Sequence, residues 1–198
     1  MNRPRFRRLV PAALLAVLMV LPVFADEGMW LFNKPPKDIL QKKYGFAVTQ
    51  EWLNHLQLAS ISFGGASGSF ISPDGLVLTN HHVGQGPLQN LSTKDRDLMK
   101  TGFYARTRSE ELKVPGMELR VLQGIEDVTD KVVGAETPEM TPAQASEARQ
   151  KVIASLEKET AEKTGLRGVV VNLYSGGMYH LYKYKTFNDV RIVFAPEY

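Results

Sequence analysis

The feature that most constrains this chain is a β-hairpin pattern at residues 69–83, which read SFISPDGLVLTNHHV. Two short apolar runs flank a Pro-Asp-Gly corner, and Gly75 supplies the backbone freedom that such a turn needs. The second run ends on two adjacent histidines, His81 and His82. Folding explains the apolar residues but not the histidines, and the rest of the sequence must decide whether the histidines have a chemical role.

Residues 1–25 predict a secretory signal peptide. Four arginines precede an apolar run from Leu9 to Leu21, and Ala25 stands where a signal peptidase would cut, before Asp26. The alternative is a membrane anchor, but the run is short for a span, with Pro11 near its start and Pro22 directly after it. The pattern therefore predicts secretion across the inner membrane, to the periplasm or cell surface of a bacterium.

The charge balance changes once the signal peptide is removed. The chain has 24 basic and 21 acidic residues, and four of the basic ones lie in residues 1–25, so 20 basic and 21 acidic residues remain. The mature part, residues 26–198, thus gives no reason to expect a nucleic-acid partner or membrane binding after cleavage. The absence of cysteine excludes disulfides and a cysteine nucleophile, and fits the bacterial periplasm.

The periodicity predicts a fold that is mostly β with helices (α+β). Helices are expected at 37–44, 49–58 and 137–164, the last capped by Thr141 and ended by Gly165. Residues 88–103 are expected to form a polar loop with a short helix. Strands are expected at 59–63, 68–72, 76–80, 118–122, 128–133, 169–174, 178–184 and 190–195.

We expect His81 and His82 to lie at the end of the second strand, where adjacent residues face opposite sides, so the two do not share a metal ion. Only His55 and His180 could add ligands, and the sequence predicts no metal site and no cofactor. A hairpin that carries a histidine at its exit is also how chymotrypsin-like β-barrels position their general base. His82, directly before Val83, is the candidate catalytic residue.

The hairpin motif, GSFISPDGLVLTNHHV at 68–83, resembles the first motif of trypsin-type bacterial proteases, including the periplasmic HtrA group. In that group the triad aspartate opens an apolar strand soon after the histidine. Four aspartates lie in this interval, and none of them opens such a strand: Asp95, Asp97, Asp127 and Asp130. An HtrA-like endopeptidase remains an alternative, as does a periplasmic binding module without catalysis.

Further motifs resemble peptidase family S46, the bacterial dipeptidyl peptidases of types 7 and 11. They are DEGMWLF at 26–32, GFYA at 102–105, ELKVPGMEL at 111–119, IEDVT at 125–129 and YKYKTFNDVRIVFAPE at 182–197. The resemblance covers residues 26–198; one departure is Val83, where many members have Cys. It implies a chymotrypsin-like double β-barrel, a His-Asp-Ser triad, release of dipeptides from peptides with a free N-terminus, and a homodimer.

By this resemblance only His82 maps onto the chain, because the family's aspartate, serine and specificity residues come later. We therefore expect residues 26–198 to be the N-terminal part of the catalytic domain, incomplete at the C-terminus and inactive alone. Asp189 begins a strand-like Asp-Val-Arg-Ile segment, but we do not assign it to the triad. Trp30, Phe32 and Trp52 are expected to pack in the core and not to form a substrate cage.

Overall fold

The computed structural model describes residues 28–63 and 65–197, so the predicted signal peptide lies outside the described residues. The helices are α1 (Lys37–Tyr44), α2 (Gln50–Ala59), α3 (His81–Leu91), α4 (Leu98–Thr101), α5 (Thr129–Val133) and α6 (Pro142–Thr164). The strands are β1 (Ser60–Ser62), β2 (Ser67–Phe70), β3 (Val77–Thr79), β4 (Phe103–Tyr104), β5 (Leu112–Lys113), β6 (Leu119–Asp127), β7 (Arg167–Leu173), β8 (Met178–Phe187), β9 (Arg191–Ile192) and β10 (Phe194–Ala195).

Six strands form one sheet in the order β3-β2-β1-β6-β8-β7, and every neighbouring pair is antiparallel. The two longest strands, β6 and β8, are neighbours in this sheet, and a bulge between Leu122 and Gly124 shifts their register. Strands β3 and β7 are the edges, so within the described residues the sheet is open. The expected mixture of antiparallel strands and helices is confirmed, whereas a closed barrel is not seen in this part of the chain.

Two small ribbons accompany the main sheet. Strand β4 pairs with β10, and β5 pairs with β9, again antiparallel. The expected single strand at 190–195 is therefore divided between two ribbons. Its alternate residues pair with different partners, since Ile192 lies opposite Leu112 and Phe194 lies opposite Tyr104.

Three apolar clusters hold these elements together. The helix–sheet cluster joins α5 and α6 to strands β7 and β8 through Val128, Val132, Tyr179 and Leu181. The hairpin cluster, Ile61, Leu119 and Val121, packs under β2 and β3. The ribbon cluster consists of Leu88, Leu98, Phe103, Ala105 and Ala195, and it ties α3 and α4 to the β4–β10 ribbon.

Helix α6 forms as its sequence predicts. The Thr141 side chain accepts a hydrogen bond from the Gln144 amide, and the Gln144 side chain accepts from the Thr141 amide, which completes a capping box. Gly165 ends the helix in the left-handed conformation, with φ of 67°. These caps satisfy backbone groups that a helix end leaves unpaired.

Residues 128–133 are mainly helix α5, so the expected strand there is wrong. The Asp127 carboxylate accepts hydrogen bonds from the Thr129 amide and hydroxyl, which turns the chain out of strand β6. Val128 and Val132 are then four residues apart and face the same cluster, and both are almost completely buried. The segment VTDKVV contains three β-branched valines, which favour a strand, but Val128 and Val132 are also spaced to lie on one face of a short helix.

None of the helices within the described residues is long and apolar enough to cross a membrane.

Candidate active site

The hairpin that leads to the histidines forms as predicted. Strands β2 and β3 pair with Gly68 opposite Thr79 and Phe70 opposite Val77. In the turn, the Leu76 amide donates to the Ser72 hydroxyl at 3.1 Å, the Ile71 amide donates to the Leu76 carbonyl, and Gly75 has a positive φ of 86°. The Pro-Asp-Gly corner is thus the device that brings β3 back toward the helix that follows.

His81 and His82 begin helix α3, and the expectation that they end a strand on opposite faces is wrong. Asn80 is the extended residue before the helix, and its carbonyl accepts from the Val83 amide at 3.0 Å. In a helix, neighbouring side chains differ in direction by about 100°, so the two histidines still diverge. His81 is half-buried, and His82 is exposed to solvent.

Helix α3 is anchored at its far end. Leu88 is 1% exposed and lies in the ribbon cluster, where Leu91 packs against it. The Ser92 hydroxyl donates to the Leu88 carbonyl at 2.8 Å and accepts from the Leu98 amide at 3.0 Å. Residues 88–91 lie in the segment 88–103, which was expected to be a polar loop with a short helix, and they form the fixed end of α3. The apolar pair at 88 and 91 was the signal that could have shown it.

The remaining histidines are not gathered around His82. His55 is exposed on α2, and His180 is fully buried on β8. Among the described residues there is no group of three or more histidine or carboxylate side chains placed to hold a metal ion.

His180 has a carboxylate, that of Asp127, within 4 Å. Its Nε2 lies 3.7 Å from Asp127 Oδ2, beyond hydrogen-bond distance, and neither ring nitrogen has a hydrogen-bond partner among the described residues. The other oxygen of Asp127 accepts from the Thr129 hydroxyl, and this bond lowers the pKa of Asp127. Nothing in the residues around His180 indicated that it would be more buried than His82.

Asp189 is held by other charged groups. Its carboxylate accepts two hydrogen bonds from the Arg191 guanidinium, at 3.0 Å each, and Lys113 Nζ lies 3.7 Å away. The bond to Arg191 is the main reason why the pKa of Asp189 lies below its usual value. A bidentate pair of this kind fixes the carboxylate in place.

The tryptophans do not lie in a core cluster of the described residues. Trp30 is 55% exposed and Trp52 is 42% exposed, while Phe32 is half-buried. Trp52 makes an edge-to-face contact with Phe46, with ring centroids 5.2 Å apart. The expectation of core packing is wrong for the two tryptophans, and nothing in their arrangement encloses a substrate.

The anchored half of α3 also borders a shallow cavity that the sequence did not predict. The cavity has a volume of about 310 Å³, and its wall is mainly apolar. It is lined by Pro87, Asn90, Leu91, Val114, Pro115, Gly116 and Met117. It lies against the end of the helix that does not carry His82.

The chain is a peptidase by sequence family, because a family model of peptidases matches residues 25–198. The family is peptidase S46, and the chain belongs to it. The resemblance found in the motifs of the sequence is thereby confirmed over the whole range in which those motifs lie.

Two relatives and one solved structure illustrate the similarity. The chain is 38% identical to dipeptidyl-peptidase 7 of Porphyromonas gingivalis, over 87% of its own length and 25% of the relative. It is 31% identical to the Asp/Glu-specific dipeptidyl-peptidase of Porphyromonas endodontalis, over 96% of its length and 28% of the relative. The crystal structure of Porphyromonas endodontalis DPP11 in complex with the dipeptide Arg-Glu superimposes with a TM-score of 0.68 at 29% identity, covering 87% of this chain and 27% of that one.

The chain thus spans about a quarter of the length of the curated relatives that it matches. The similarity extends over both the hairpin and helix α3, since the family match includes them. The fold of this part of the family is therefore a mixed α/β arrangement with antiparallel sheets.

Proposed function

We propose that the chain is the N-terminal part of a serine-type dipeptidyl peptidase that releases dipeptides from peptides with a free N-terminus, with His82 as general base. One observation carries the proposal: in a chain of family S46, the hairpin leads into a helix whose exposed second residue is His82. An imidazole open to solvent can receive a proton from a group that approaches it. The relatives named dipeptidyl-peptidases support the reaction class.

His82 would take part in both halves of the reaction. Its imidazole accepts the proton of a serine hydroxyl as the oxygen attacks the scissile carbonyl, and the imidazolium then gives this proton to the leaving amine. In the second half, the imidazole takes a proton from water as the water attacks the acyl-enzyme. The proton returns to the serine oxygen when the dipeptide leaves, so the enzyme is regenerated.

The serine and the triad aspartate belong, by this proposal, to the three quarters of the relatives' length that the chain does not cover. Residues 26–198 are then inactive alone, because a base without its nucleophile performs no acyl transfer. The same missing part would close the open sheet into the first barrel of a chymotrypsin-like double β-barrel and would select the P1 side chain. We also propose export by the 1–25 signal peptide to the periplasm or cell surface, and a homodimer of the complete enzyme.

The test uses the protein extended to the length of its relatives, with a chromogenic dipeptidyl substrate. His82→Ala is expected to lower kcat by several orders of magnitude with an unchanged melting temperature, since the side chain is exposed. His55→Ala is the matched control, because His55 is also an exposed helical histidine. Retained activity in His82→Ala contradicts the proposed base.

Two further measurements separate the alternatives. Dipeptide release by the 198-residue chain itself would contradict the proposal that it lacks the nucleophile. Cleavage of an N-terminally blocked protein by the extended enzyme would favour an endopeptidase of the HtrA kind, since a dipeptidyl peptidase requires the free amine.

A further inference from the structure

We infer that helix α6 closes one edge of the main sheet: the carboxylate of Glu157 occupies the backbone position on β7 at which a further strand would pair. The sheet is then not extended at β7, either by a second copy of the chain or by the remainder of the longer enzyme. The inference deepens the proposed function and rests on it in one respect, because it decides which edge takes part in closing the proposed barrel.

The contact is a hydrogen bond from a strand amide to a helix side chain. The Val170 amide donates to Glu157 Oε1 at 2.8 Å, and Glu157 is half-buried. In an antiparallel pair, every second residue of a strand directs its amide and carbonyl away from the partner strand. At the edge of a sheet these outward groups are the ones with which an added strand pairs. Glu157 therefore takes one of the bonds that extension of the sheet would need.

The pairing with β8 shows which residues of β7 point outward. Asn172 lies opposite Tyr179, whose amide donates to the Thr129 hydroxyl at 3.0 Å and so does not bond to β7. Since Asn172 is in register with Tyr179, its own amide also points away from β8, as does that of Val170 two residues earlier. The outward row of β7 thus runs through Val170, next to α6, and through Asn172, which is exposed.

Helix α6 lies close enough to β7 to make this contact. A Cβ atom added at Gly168 would lie 3.0 Å from Thr160 Cβ and 3.2 Å from Glu157 Cα, so the helix and the strand approach each other as closely as a glycine allows. Apolar residues of α6 pack against the same helix–sheet cluster as Val170, namely Val152, Ile153 and Leu156. The helix therefore covers one face of β7, and Glu157 reaches from it to the edge.

The sequence of β7 gives a reason for closing its edge. Three successive valines, at 169–171, favour a strand strongly, and the one charged residue of the strand is Arg167 at its start. An edge strand without charge along its length is a template for pairing with another chain, and sheets protect such edges with a charge or a covering element. Here a neighbouring helix supplies both.

Closure at β7 leaves β3 as the edge of the main sheet for the remainder of the enzyme. The Ile71 amide donates to the Leu76 carbonyl, so Val77, in the next pair of the hairpin, directs its amide outward. Val190, directly before β9, packs against the same hairpin cluster as Val77. The proposed barrel would thus close between β3 and the segment that begins at Val190, with β7 and α6 outside it.

The first experiment measures association of the 198-residue chain by size-exclusion chromatography with light scattering. Glu157→Ala is expected to raise the apparent mass at least about twofold as the protein concentration rises, because the outward amide of Val170 becomes available to a second copy. Glu157→Gln keeps an acceptor oxygen and should behave as the unsubstituted chain does. Glu162→Ala, which removes an exposed carboxylate elsewhere on α6, is the control. An unchanged mass in Glu157→Ala contradicts the inference.

A further substitution shows whether the association uses β7. Asn172→Pro removes the other outward amide at an exposed position of an edge strand, where proline is tolerated. Added to Glu157→Ala, it should return the mass to that of the unsubstituted chain. Larger species that persist in the double variant form through another surface or through loss of the fold, and either result overturns the role of Glu157 at this edge.

The second experiment compares amide hydrogen exchange in the 198-residue chain and in the protein extended to the length of its relatives. The Val77 amide is expected to exchange at least about 100-fold more slowly in the extended protein, while the Asn172 amide stays within about threefold of its rate in the shorter chain. Strong protection gained at Asn172, or none gained at Val77, would overturn the inference.

The two proposals fail in distinguishable ways, because turnover tests the function and exchange tests the edge. If the extended protein releases no dipeptides while Asn172 exchanges as before, the proposed function fails and the closed edge stands. If it releases dipeptides but Asn172 becomes protected, the function stands and β7 takes part in extending the sheet.

Discussion

His82 and Leu88 lie six residues apart on one helix, yet the first is open to solvent and the second is 1% exposed. Leu88 contributes nothing to the chemistry, but its burial against α4 and the β4–β10 ribbon is what fixes the helix that carries the histidine. The position of His82 therefore depends on a leucine more than a turn away as well as on the hairpin that leads into the helix.

Leu88→Ala is expected to destabilise the 198-residue chain by about 2–5 kcal/mol, because it removes a buried side chain and leaves a cavity. Urea unfolding measures the loss. Leu58→Ala is the matched control, since Leu58 is 48% exposed on α2 and its truncation should cost much less. Equal losses in the two variants would show that the ribbon cluster does not anchor α3.

The hairpin depends on the absence of a side chain at Gly68. A Cβ atom there would lie 2.6 Å from the Leu78 carbonyl oxygen, a backbone atom of the neighbouring strand that cannot rotate away. We expect Gly68→Ala to destabilise the chain by about 1–3 kcal/mol. Gly65→Ala is the control, with open space around the added Cβ; a similar loss in both variants, measured by thermal unfolding, would remove the steric explanation.

Local signals in the sequence were enough to predict much of this fold. The Pro-Asp-Gly turn, the Thr141 capping box and the Gly165 helix end each depend on a few adjacent residues, and each forms as expected. The strand prediction at 128–133 failed because Val128 and Val132 suit a strand and a helix equally, and the deciding contacts, to Tyr179 and Leu181, are distant in the sequence.

In the candidate site, too, features that depend on adjacent residues were predictable, and features that depend on distant contacts were not. The hairpin and its two histidines were predictable, but the helix after them was not, since Gly84, Gly86 and Pro87 are all poor helix formers. Tertiary packing of Leu88 outweighs that propensity. The burial of His180 was equally hidden, because it depends on strands β6 and β7 that flank β8 on both sides.

Glu126 is expected to make stability depend on pH in the acid range. Its carboxylate accepts hydrogen bonds from Lys183 at 2.8 Å and Lys131 at 3.0 Å, and the bond to Lys183 is the main reason why its pKa lies below 4.5. A pKa lowered by folding means stabilisation that is present above pH 4.5 and lost as the pH falls through the folded value. The pair is partly exposed, so its contribution is under about 1 kcal/mol.

Urea unfolding of Glu126→Gln at pH 7 and at pH 3 tests this dependence. The variant should be less stable than the unsubstituted chain at pH 7, and the difference should shrink as the pH falls toward 3, because protonation of the carboxyl group weakens its bonds to the two lysines. Glu51→Gln serves as the control for loss of an exposed carboxylate. A difference that grows toward low pH would contradict the assigned ion pairs.

His180 is expected to tolerate an apolar replacement. Its ring is fully buried and makes no hydrogen bond within the described residues, so His180→Leu loses no such bond and should change the free energy of unfolding by less than about 1.5 kcal/mol at pH 7. His180→Ala removes the same ring without filling its place and should cost about 2–4 kcal/mol. A larger loss for leucine than for alanine would show that the imidazole has a polar role beside Asp127.

Asp189 offers the sharpest check on the assignment of the triad, because its sequence setting mimics a triad strand. Its carboxylate is bound to Arg191 through two hydrogen bonds and lies near Lys113. In the protein extended to the length of its relatives, Asp189→Asn should therefore leave kcat/KM within about twofold, whereas loss of a triad aspartate lowers kcat by about four orders of magnitude. Turnover of the dipeptidyl substrate, compared with His82→Ala in the same preparation, decides between the two. A loss as large as that of His82→Ala would make Asp189 the partner of the histidine and would require the Arg191 pair to open during the reaction.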